Sequence, residues 1–228
     1  MSQNKEIFLI SPSFPPGTGG IQTWMKNWVK HSEHDFTVLT EEAEDTSFDE
    51  EVDAEIIREN ILGSIGYLKT AWYAVRNRDK HIHLESPMNA FTVIPVKILG
   101  AEVTSHAHGN ELIYHENSAG FIRRTLFKLG LRTVSEFVVP SEWTKEKLQE
   151  FGLGEEKIEV IHPGIDFERF HDFELENRKF SSEEKFTLLT VGRLDERKGH
   201  RLVLEAIKDL EDVEYLIAGS GEMEEEIK

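Results

Sequence analysis

The segment EIFLISPSFPPGTGGIQTWMKNWVKH, residues 6–31, decides the fold class. Residues 6–11 contain the continuous apolar run IFLI, 7–10, and are predicted to form a buried strand. The loop 11–24 is rich in proline and glycine, and from residue 21 the apolar positions recur at helical spacing. A buried strand that leads through a tight loop into an amphipathic helix predicts a parallel sheet covered by helices.

The same alternation continues over the next 130 or so residues of the chain. Further strands are predicted at 36–40, 55–60, 80–86, 101–109, 136–141 and 157–164, and helices at 61–77, 88–99, 118–131 and 142–151. The acidic stretch 41–53 is predicted to be a solvated loop. The pattern indicates an α/β fold, with a first Rossmann-like domain over residues 1–165.

Residues 166–185 are charged and have no clear period, which is typical of a linker. A second strand–helix pattern starts at residue 186, with a helix from about 200 to 210, a further strand VEYLIAGS and the start of another helix. Two strands and two helices do not close a sheet-based core. We therefore expect 186–228 to be the beginning of a second, truncated domain.

Composition excludes several classes of partner and chemistry. The chain has 43 acidic and 26 basic residues and a formal net charge of −17, so nucleic acid is not an expected partner. The absence of cysteine excludes disulfides, thiolate zinc sites and cysteine nucleophiles. The N-terminal residues lack a signal-peptide pattern, and no apolar run approaches the roughly 20 residues that span a bilayer, so a cytoplasmic location is expected.

Two features of the first domain point to a ligand. Gly19 and Gly20 end the loop after the first strand, where glycines let backbone N–H groups approach a phosphate at a helix N-terminus; the alternative is an ordinary turn. In TSHAHGNELIYHE, 104–116, His106 and His108 alternate on a strand predicted to end at Gly109. One histidine could face a ligand hydroxyl. The alternatives are a histidine bonded to backbone, or a metal site that includes His115 and Glu116.

The stretch PSEWTKEKL, 140–148, follows another predicted strand. Ser141 or Glu142 is expected to cap the next helix, with Thr144 as the competing choice. A ligand contact through the serine hydroxyl is the secondary interpretation.

The loop TVGRLDERKGH, 190–200, places two cations after a strand of the second domain. The guanidinium of Arg193 and the ammonium of Lys198 could together neutralise a diphosphate. The alternative is a loop in which Asp195 and Glu196 pair with these cations. A glycine turn, GSGE at 219–222, follows the next strand and suits a phosphate or a ribose.

Taken in order, these segments resemble the retaining glycosyltransferases of the GT-B superfamily, of the family 4 type (glycosyl transferases group 1). The matching segments are PPGTGG at 15–20, HG at 108–109, VPSEWTK at 139–145, IHPGIDFERF at 161–170 and VGRLDERKG at 191–199. The resemblance implies two Rossmann-like domains that face each other across a cleft. The first would bind the acceptor and the second the nucleotide-sugar donor.

The resemblance also implies roles for individual residues. Arg193 and Lys198 would bind the donor diphosphate and stabilise the leaving nucleotide, and His108 would lie near the transferred sugar. The resemblance implies that the leaving phosphate would take the proton, so His108 is not assigned as a general base. The remaining positions are Gly19 and Gly20 for the diphosphate, Gly109, Asn110 and Ser141 for acceptor or sugar, and Gly192, Gly219 and Gly221 for the nucleotide. No metal or cofactor is implied.

The implied reaction is transfer of a hexose from a nucleotide-sugar to an acceptor hydroxyl with retention. The acceptor would be a sugar, a lipid-linked or another small molecule, in glycan, glycolipid or cell-envelope polysaccharide biosynthesis. Such enzymes carry a glutamate pair well after the glycine turn, which this sequence does not reach, so we expect weak or no turnover from these 228 residues. The alternatives are a non-catalytic fragment that binds sugar, nucleotide or a partner, and a sugar-nucleotide epimerase or phosphorylase.

The helix 118–131 combines apolar and basic residues. Some relatives use such a helix for peripheral contact with a membrane, which here would be at its inner face. The alternative is a packed helix with a solvated basic edge.

Overall fold

The computed structural model describes residues 5–117, 120–165, 167 and 185–227. The chain divides into two compact units, Met1–Ile165 and Asp166–Lys228. Apart from residues 167 and 185, the predicted linker 166–185 lies outside the described residues.

A seven-stranded parallel sheet forms the first unit, in the order β3-β2-β1-β4-β5-β6-β7. The strands are β1 (Glu6–Ile10), β2 (Asp35–Thr40), β3 (Ala54–Arg58), β4 (His81–Leu84), β5 (Val103–His106), β6 (Glu136–Val139) and β7 (Ile158–Val160). The order reverses beside β1, and the neighbouring carboxyl ends of β1 and β4 therefore border the crevice where such sheets bind ligands.

Helices cover the two faces of this sheet unequally. They are α1 (Gly20–His31), α2 (Gly63–Arg76), α3 (Ile94–Ile98), α4 (Asn110–Asn117), α5 (Phe121–Leu131) and α6 (Glu142–Glu150). Because parallel crossovers are right-handed, α1 lies on one face and α2 to α6 on the other. The packing agrees: Ile7 and Leu9 belong to the cluster that contains Met25 of α1, whereas Phe8 and Ile10 pack in the larger cluster on the opposite face.

The α1 face of β4 and β5 carries polar side chains. His81 and His83 of β4 alternate with Ile82 and Leu84, which belong to the larger core cluster. Trp28 of α1 lies with its ring centroid 4.6 Å from that of His83. The face under α1 is therefore a histidine–tryptophan layer rather than an aliphatic core.

One predicted helix is divided in the structure. The helix predicted at 88–99 is a 3₁₀ segment, Pro87–Val93, followed by the short α3. Asn89 leaves the helical region at φ −115°, and Pro95, which has no N–H to donate, stands in the first turn of α3 and starts it anew.

The prediction of a solvated loop at 41–53 is wrong for part of this stretch. It contains a 3₁₀ turn, Ser47–Glu51, in which Phe48 is buried. The carboxylate of Asp49 accepts hydrogen bonds from the Arg58 guanidinium at 2.6 and 2.8 Å. One apolar residue and one ion pair therefore hold this segment to β3.

The predicted strand 101–109 ends three residues early, at His106, and the short helix α4 that follows was not predicted. Gly109 stands between them with φ +101°, a left-handed conformation that favours glycine. The predicted helix 118–131 is α5 from Phe121 onward, and residues 118 and 119 lie outside the described residues.

The second unit has two parallel strands, β8 (Phe186–Val191) and β9 (Val213–Ala218), with helices α7 (His200–Ile207) and α8 (Glu224–Ile227). Its buried side chains include Leu194, His200 and Met223, while large apolar residues of β8 are exposed. In the described part of the chain, no helix has the length and hydropathy needed to cross a membrane.

Candidate functional site

Glu85 anchors the crevice at the carboxyl ends of β1 and β4. Its side chain is buried, and its carboxylate accepts hydrogen bonds from the Ser11 hydroxyl, from the Ser13 hydroxyl at 2.7 Å and from the Ser13 N–H at 3.0 Å. Three donors on one ionised acceptor make a strong local anchor. Glu85 therefore fixes the start of the glycine-rich loop that leads to Gly19 and Gly20.

Sequence reasoning missed Glu85, although a signal was present. The residue directly follows the strand HIHL, 81–84. Side chains at the carboxyl end of a strand in a parallel sheet are exposed to ligands. An acid at such a place has either a ligand or an internal donor, and here it has internal donors.

His108 lies beyond the end of β5, between two buried acidic residues. Its Nε2 is 2.9 Å from the carbonyl oxygen of Glu85, and its backbone N–H donates to Oε1 of Glu111 at 2.7 Å. A carbonyl oxygen only accepts, so the ring carries a proton on Nε2. In the neutral ring, Nδ1 is then left as an acceptor.

Gly109 and Ser141 have structural uses at the neighbouring strand ends. A Cβ on Gly109 would lie 2.7 Å from the Trp143 ring, so a side chain there would displace the first turn of α6. The hydroxyl of Ser141 accepts from the Thr144 N–H at 3.3 Å and so caps α6. The capping prediction for Ser141 is confirmed, and its ligand contact stays a prediction.

Gly19 and Gly20 stand at the beginning of α1. A Cβ on Gly20 would meet no atom within 4 Å, while one on Gly19 would lie 2.5 Å from the side-chain oxygen of Gln22. No side chain of a described residue caps the N-terminus of α1, and no acidic residue stands in its first turn. The helix therefore starts with partial positive charge and an open approach to its backbone, as an anion requires.

A cavity of about 280 Å³ lies in this crevice. Its polar lining comes from Ser13, Glu85, Ser86, Asn89, Asn110 and Glu111, and its apolar lining includes Ile21, Ile61, Leu62 and Met88. Among the residues that the structure describes, the lining has carboxylates, amides and hydroxyls but no lysine, arginine or histidine. Such a surface suits a neutral, hydroxyl-bearing group with an apolar side.

His106, by contrast, points into the layer under α1. Its Nδ1 is 2.6 Å from Nε2 of His83, whose Nδ1 is 2.7 Å from the Thr104 hydroxyl. Burial lowers the pKa of His106 to about 3, and burial and the adjacent His106 lower the pKa of His83 well below its usual value. Both rings are therefore neutral and pack in the interior of the first unit. No cluster of three potential metal ligands occurs among the described residues.

The two cations of the second unit differ in their surroundings. Arg193 is exposed, with Nε 3.8 Å from a carboxylate oxygen of Asp195, and the same oxygen is 3.4 Å from the Arg197 guanidinium. Lys198 is exposed, and none of the described residues forms an ion pair with it. The predicted salt-bridged loop is thus present at Asp195, while Glu196 has no such pair with a described residue. The two arginine side chains are exposed and their contacts with Asp195 are long, so these pairs contribute little and can yield to a ligand.

His200 holds the backbone under Arg193. It is 1% exposed, and its Nε2 is 3.1 Å from the carbonyl oxygen of Arg193, with Nδ1 3.3 Å from the Tyr215 hydroxyl. Sequence reasoning did not single out His200. Its position as first residue of the helix after the loop was the available signal.

The glycines of the second unit permit a close approach of two loops. A Cβ on Gly219 would collide with the carbonyl oxygen of Gly192, and one on Gly221 with that of Leu194. Backbone hydrogen bonds join the loops, from Gly192 N–H to Ala218 at 3.0 Å and from Leu194 N–H to Ser220 at 2.9 Å. These glycines therefore shape the loop that carries Arg193; their nucleotide contacts stay predictions.

The predicted site residues are divided between the units. The first unit holds Gly19, Gly20, His108, Gly109, Asn110 and Ser141, and the second holds Gly192, Arg193, Lys198, Gly219 and Gly221. In each unit they gather at the carboxyl ends of parallel strands.

We expect Glu85→Gln to lower the free energy of unfolding by about 2 kcal/mol, because charge-assisted hydrogen bonds become neutral ones and the new amide NH₂ faces donors. Urea titration followed by tryptophan fluorescence measures this. Glu116→Gln is the matched control, since Glu116 is exposed and its Nζ–Oε2 contact with Lys147 is 3.5 Å long. Equal stability of the two variants would contradict the anchoring role of Glu85.

The Rossmann-like first unit, joined to a second α/β unit with glycine-shaped loops, defines a protein of the GT-B class. The chain belongs to Glycosyltransferase Family 4, whose model matches residues 18–169, and the model of Glycosyl transferases group 1 matches residues 172–228. These matches cover both units, and the predicted family is confirmed.

Solved structures and a curated relative agree with this assignment. HepE of Anabaena in complex with UDP is similar to this chain, with a TM-score of 0.69 at 15% identity; the match covers 97% of this chain and 62% of that chain. Its complex with UDP-glucose has a TM-score of 0.65 at 14% identity. A glycosyltransferase of Rickettsia africae has a TM-score of 0.67 at 18% identity and covers 98% of this chain and 62% of its own.

The curated relative is the Campylobacter jejuni N-acetylgalactosamine-N,N'-diacetylbacillosaminyl-diphospho-undecaprenol 4-alpha-N-acetylgalactosaminyltransferase. It is 32% identical over 84 residues, which are 36% of this chain and 22% of that protein. The chain thus spans about three fifths of the solved structures and about a fifth of this relative.

Proposed function

We propose that the full-length protein transfers a hexose from a nucleotide-sugar to an acceptor hydroxyl with retention, in the biosynthesis of a glycan, glycolipid or cell-envelope polysaccharide. The observation that carries the proposal is the family match over both units. The nucleotide-sugar complexes of the similar Anabaena structure and the sugar-transferring Campylobacter relative support it.

Arg193 and Lys198 bind the donor diphosphate in this proposal. As the bond from sugar to phosphate breaks, negative charge grows on the departing diphosphate, and a guanidinium and an ammonium stabilise that charge more strongly than the ground state. Lys198 has no counter-ion among the described residues, and the exposed Arg193 has only the 3.8 Å contact with Asp195. Both cations are therefore available to a diphosphate, and the reaction is proposed to need no metal or cofactor.

The first unit supplies the acceptor site in this proposal. The cavity bordered by Glu85, Asn110 and Glu111 has the chemistry of a sugar-hydroxyl site, and His108 lies beside it with a fixed ring. Gly19 and Gly20 present the start of α1 to the diphosphate, and Gly109 and Ser141 shape the neighbouring strand ends. The leaving phosphate is proposed to accept the proton of the attacking hydroxyl.

A cytoplasmic location, a sugar, lipid-linked or other small-molecule acceptor, and a peripheral membrane contact through residues 118–131 belong to the same proposal. The exposed Phe121 and Ile122 of α5, next to Arg123 and Arg124, support the membrane contact. Residues 1–228 alone are proposed to turn over weakly or not at all.

The test is calorimetric titration of the full-length protein with UDP, GDP and ADP, followed by NMR of the anomeric proton of the product from the matching nucleotide-sugar. One diphosphate is expected to bind more tightly than the others, and the product is expected to keep the donor's anomeric configuration. Binding without turnover would support a non-catalytic nucleotide-binding protein instead. An inverted product or no diphosphate binding would overturn the proposal.

A further inference from the structure

The buried part of the cavity of about 280 Å³ in the first unit is apolar. Ile10 of β1, Leu84 of β4 and Ile61, which precedes α2, all line the cavity and are buried. These aliphatic side chains offer a ligand contact area but neither a donor nor an acceptor. The buried part of the cavity therefore favours an apolar group of the ligand.

Two buried threonines in the same lining do not change this character. The hydroxyl of Thr70 donates to the carbonyl oxygen of Gly66 at 2.9 Å, and that of Thr92 donates to the carbonyl oxygen of Asn89 at 2.8 Å. Each hydroxyl proton is thus already used within the protein. A ligand hydroxyl placed beside them would give up its hydrogen bonds to water and would find at most a threonine oxygen in return.

The rest of the lining can bind hydroxyl groups. Asn110 is exposed, and Ser86 and Asn89 are half-buried, so amide and hydroxyl groups that donate and accept stand at the mouth. The carboxylate of Glu111 accepts the N–H of His108 through Oε1, and no described residue donates to its Oε2. That oxygen is therefore left as an acceptor for a hydroxyl of the ligand.

Charge and size restrict the ligand further. Glu85 and Glu111 bring two carboxyl groups to the cavity, and the described lining residues include no cation. A phosphate would therefore gain no partner there, and an ammonium would be stripped of water at the apolar end. The volume lies just below the range of pockets for drug-sized ligands, which is roughly 300–1,000 Å³, and so suits a single sugar residue.

We propose that this cavity binds one uncharged sugar residue of the acceptor that carries a methyl group, either at C6 of a 6-deoxy sugar or in an N-acetyl group. The methyl group occupies the buried apolar end, and ring hydroxyls bind Glu111 and Asn110 nearer the mouth. The inference rests on the proposed function, whose acceptor it narrows from any sugar, lipid-linked or other small molecule to this class. One apolar carbon in such a pocket changes affinity about 10- to 200-fold.

The position of the mouth agrees with this orientation. Ile21 lines the cavity and directly follows Gly20, the first residue of α1. The mouth thus adjoins the helix start that is proposed to face the donor diphosphate. A sugar whose methyl group is buried keeps its remaining hydroxyls on that side, where one of them attacks.

The test is saturation-transfer NMR of the full-length protein with matched sugars, alone and with whichever of UDP, GDP and ADP binds. N-acetylglucosamine is compared with glucosamine and glucose, D-fucose with D-galactose, and L-rhamnose with L-mannose. We expect the methyl-bearing sugar of at least one series to bind at least about tenfold more tightly than its partners, with the largest transfer at its methyl protons. The series that does so distinguishes an N-acetyl from a 6-deoxy acceptor.

Variants locate the binding in the cavity. Leu62→Ser removes an apolar side chain from the lining and should lower the preference for the methyl-bearing sugar at least about fivefold. Leu62 is the N-cap residue of α2, a position that serine favours, so the fold should be retained. Leu68→Ser, at an exposed leucine of α2 outside the cavity, is the control and should keep the preference.

Glu111→Gln should weaken the methyl-bearing sugar and its partner by the same factor, about fivefold, because the hydroxyl loses a charged acceptor in both cases. Glu116→Gln on the same helix, which replaces an exposed carboxylate, should leave both affinities within about twofold. Circular dichroism melting of each variant keeps the comparison independent of folding. If Leu62→Ser melts early, Met88→Ser replaces it, since Met88 is exposed and also lines the cavity.

Equal affinities within every series would overturn the inference, and so would tighter binding of glucosamine than of N-acetylglucosamine. Absence of binding by all of these sugars, with and without the diphosphate, would overturn it as well. Selective sugar binding by a protein that binds no diphosphate would support the cavity and sink the proposed transfer. Diphosphate binding and transfer without selectivity for a methyl group would have the opposite meaning, so the two failures are distinguishable.

Discussion

Arg193→Ala in the full-length protein should reduce kcat for transfer about 10²- to 10³-fold, as removal of a preorganised transition-state donor does elsewhere. The side chain follows β8, and its backbone is held by the buried His200. Because Arg193 is exposed and its contact with Asp195 is 3.8 Å long, stability should change by less than about 0.5 kcal/mol. The expected result is therefore a catalytic loss in a protein that melts normally.

Arg201→Ala is the matched control, since Arg201 is an exposed arginine of the same unit that pairs with Glu226 on α8. It should retain wild-type turnover within about twofold. Diphosphate binding measured by calorimetry separates the two roles of Arg193, because an interaction made chiefly in the transition state lowers kcat more than it raises the dissociation constant. If Arg193→Ala and Arg201→Ala have the same kcat, the proposed role of Arg193 is wrong.

The α/β class and the sequence of strands in the first unit could be predicted because buried parallel strands are continuous apolar runs between amphipathic helices. The structure of the segment 87–98 could not be predicted in the same way. Its apolar residues have the spacing of one helix, but Pro95 and the conformation of Asn89 divide the segment in two. The helix α4 was missed for a similar reason. It has eight residues, and few of them are apolar, so periodicity gave no signal.

Candidate site residues could be named from the sequence where a residue type is unusual for its place, and their roles stay predictions. Arg193 and Lys198 stood out as cations after an apolar strand, and His108 as a polar residue at a strand end. Glu85 and His200 were missed because their roles depend on partners far away in sequence or on a backbone carbonyl. A single sequence does not show which strand ends are neighbours, and only the sheet order placed Glu85 beside the loop after β1.

The histidine layer under α1 also depends on that order. His83 of β4 and His106 of β5 come from strands 23 residues apart, and pairing of the strands brings Nε2 of the first within 2.6 Å of Nδ1 of the second. Trp28 packs edge-on against both rings, with centroids 4.6 and 5.6 Å away. Each ring is stable there only while neutral, because a buried cation next to a second histidine has no compensating partner.

Lowering the pH from 7 to 5 should therefore decrease the free energy of unfolding of the first unit by about 2 kcal/mol through His106, and His83 should add to the decrease. Burial lowers the pKa of His106 to about 3, and the pKa of His83 is also lowered. In the unfolded chain both titrate near 6.5, so between pH 6.5 and about 3 the unfolded state binds more protons. This stability is fully present above pH 6.5 and is lost as the pH falls.

Urea unfolding at a series of pH values, followed by tryptophan fluorescence, measures this loss, because all four tryptophans belong to the first unit. The carboxylates of Glu102, Glu136 and Glu159 line the open side of the same layer. The double variant His83→Gln/His106→Gln should be less stable than the wild type at pH 7. Between pH 7 and pH 5, however, its free energy of unfolding should fall much less than that of the wild type. The exposed His31, replaced by glutamine, should leave the wild-type slope intact. A double variant that retains the full decrease would mean that other groups take up the protons, and that the buried pair does not control the acid sensitivity of this unit.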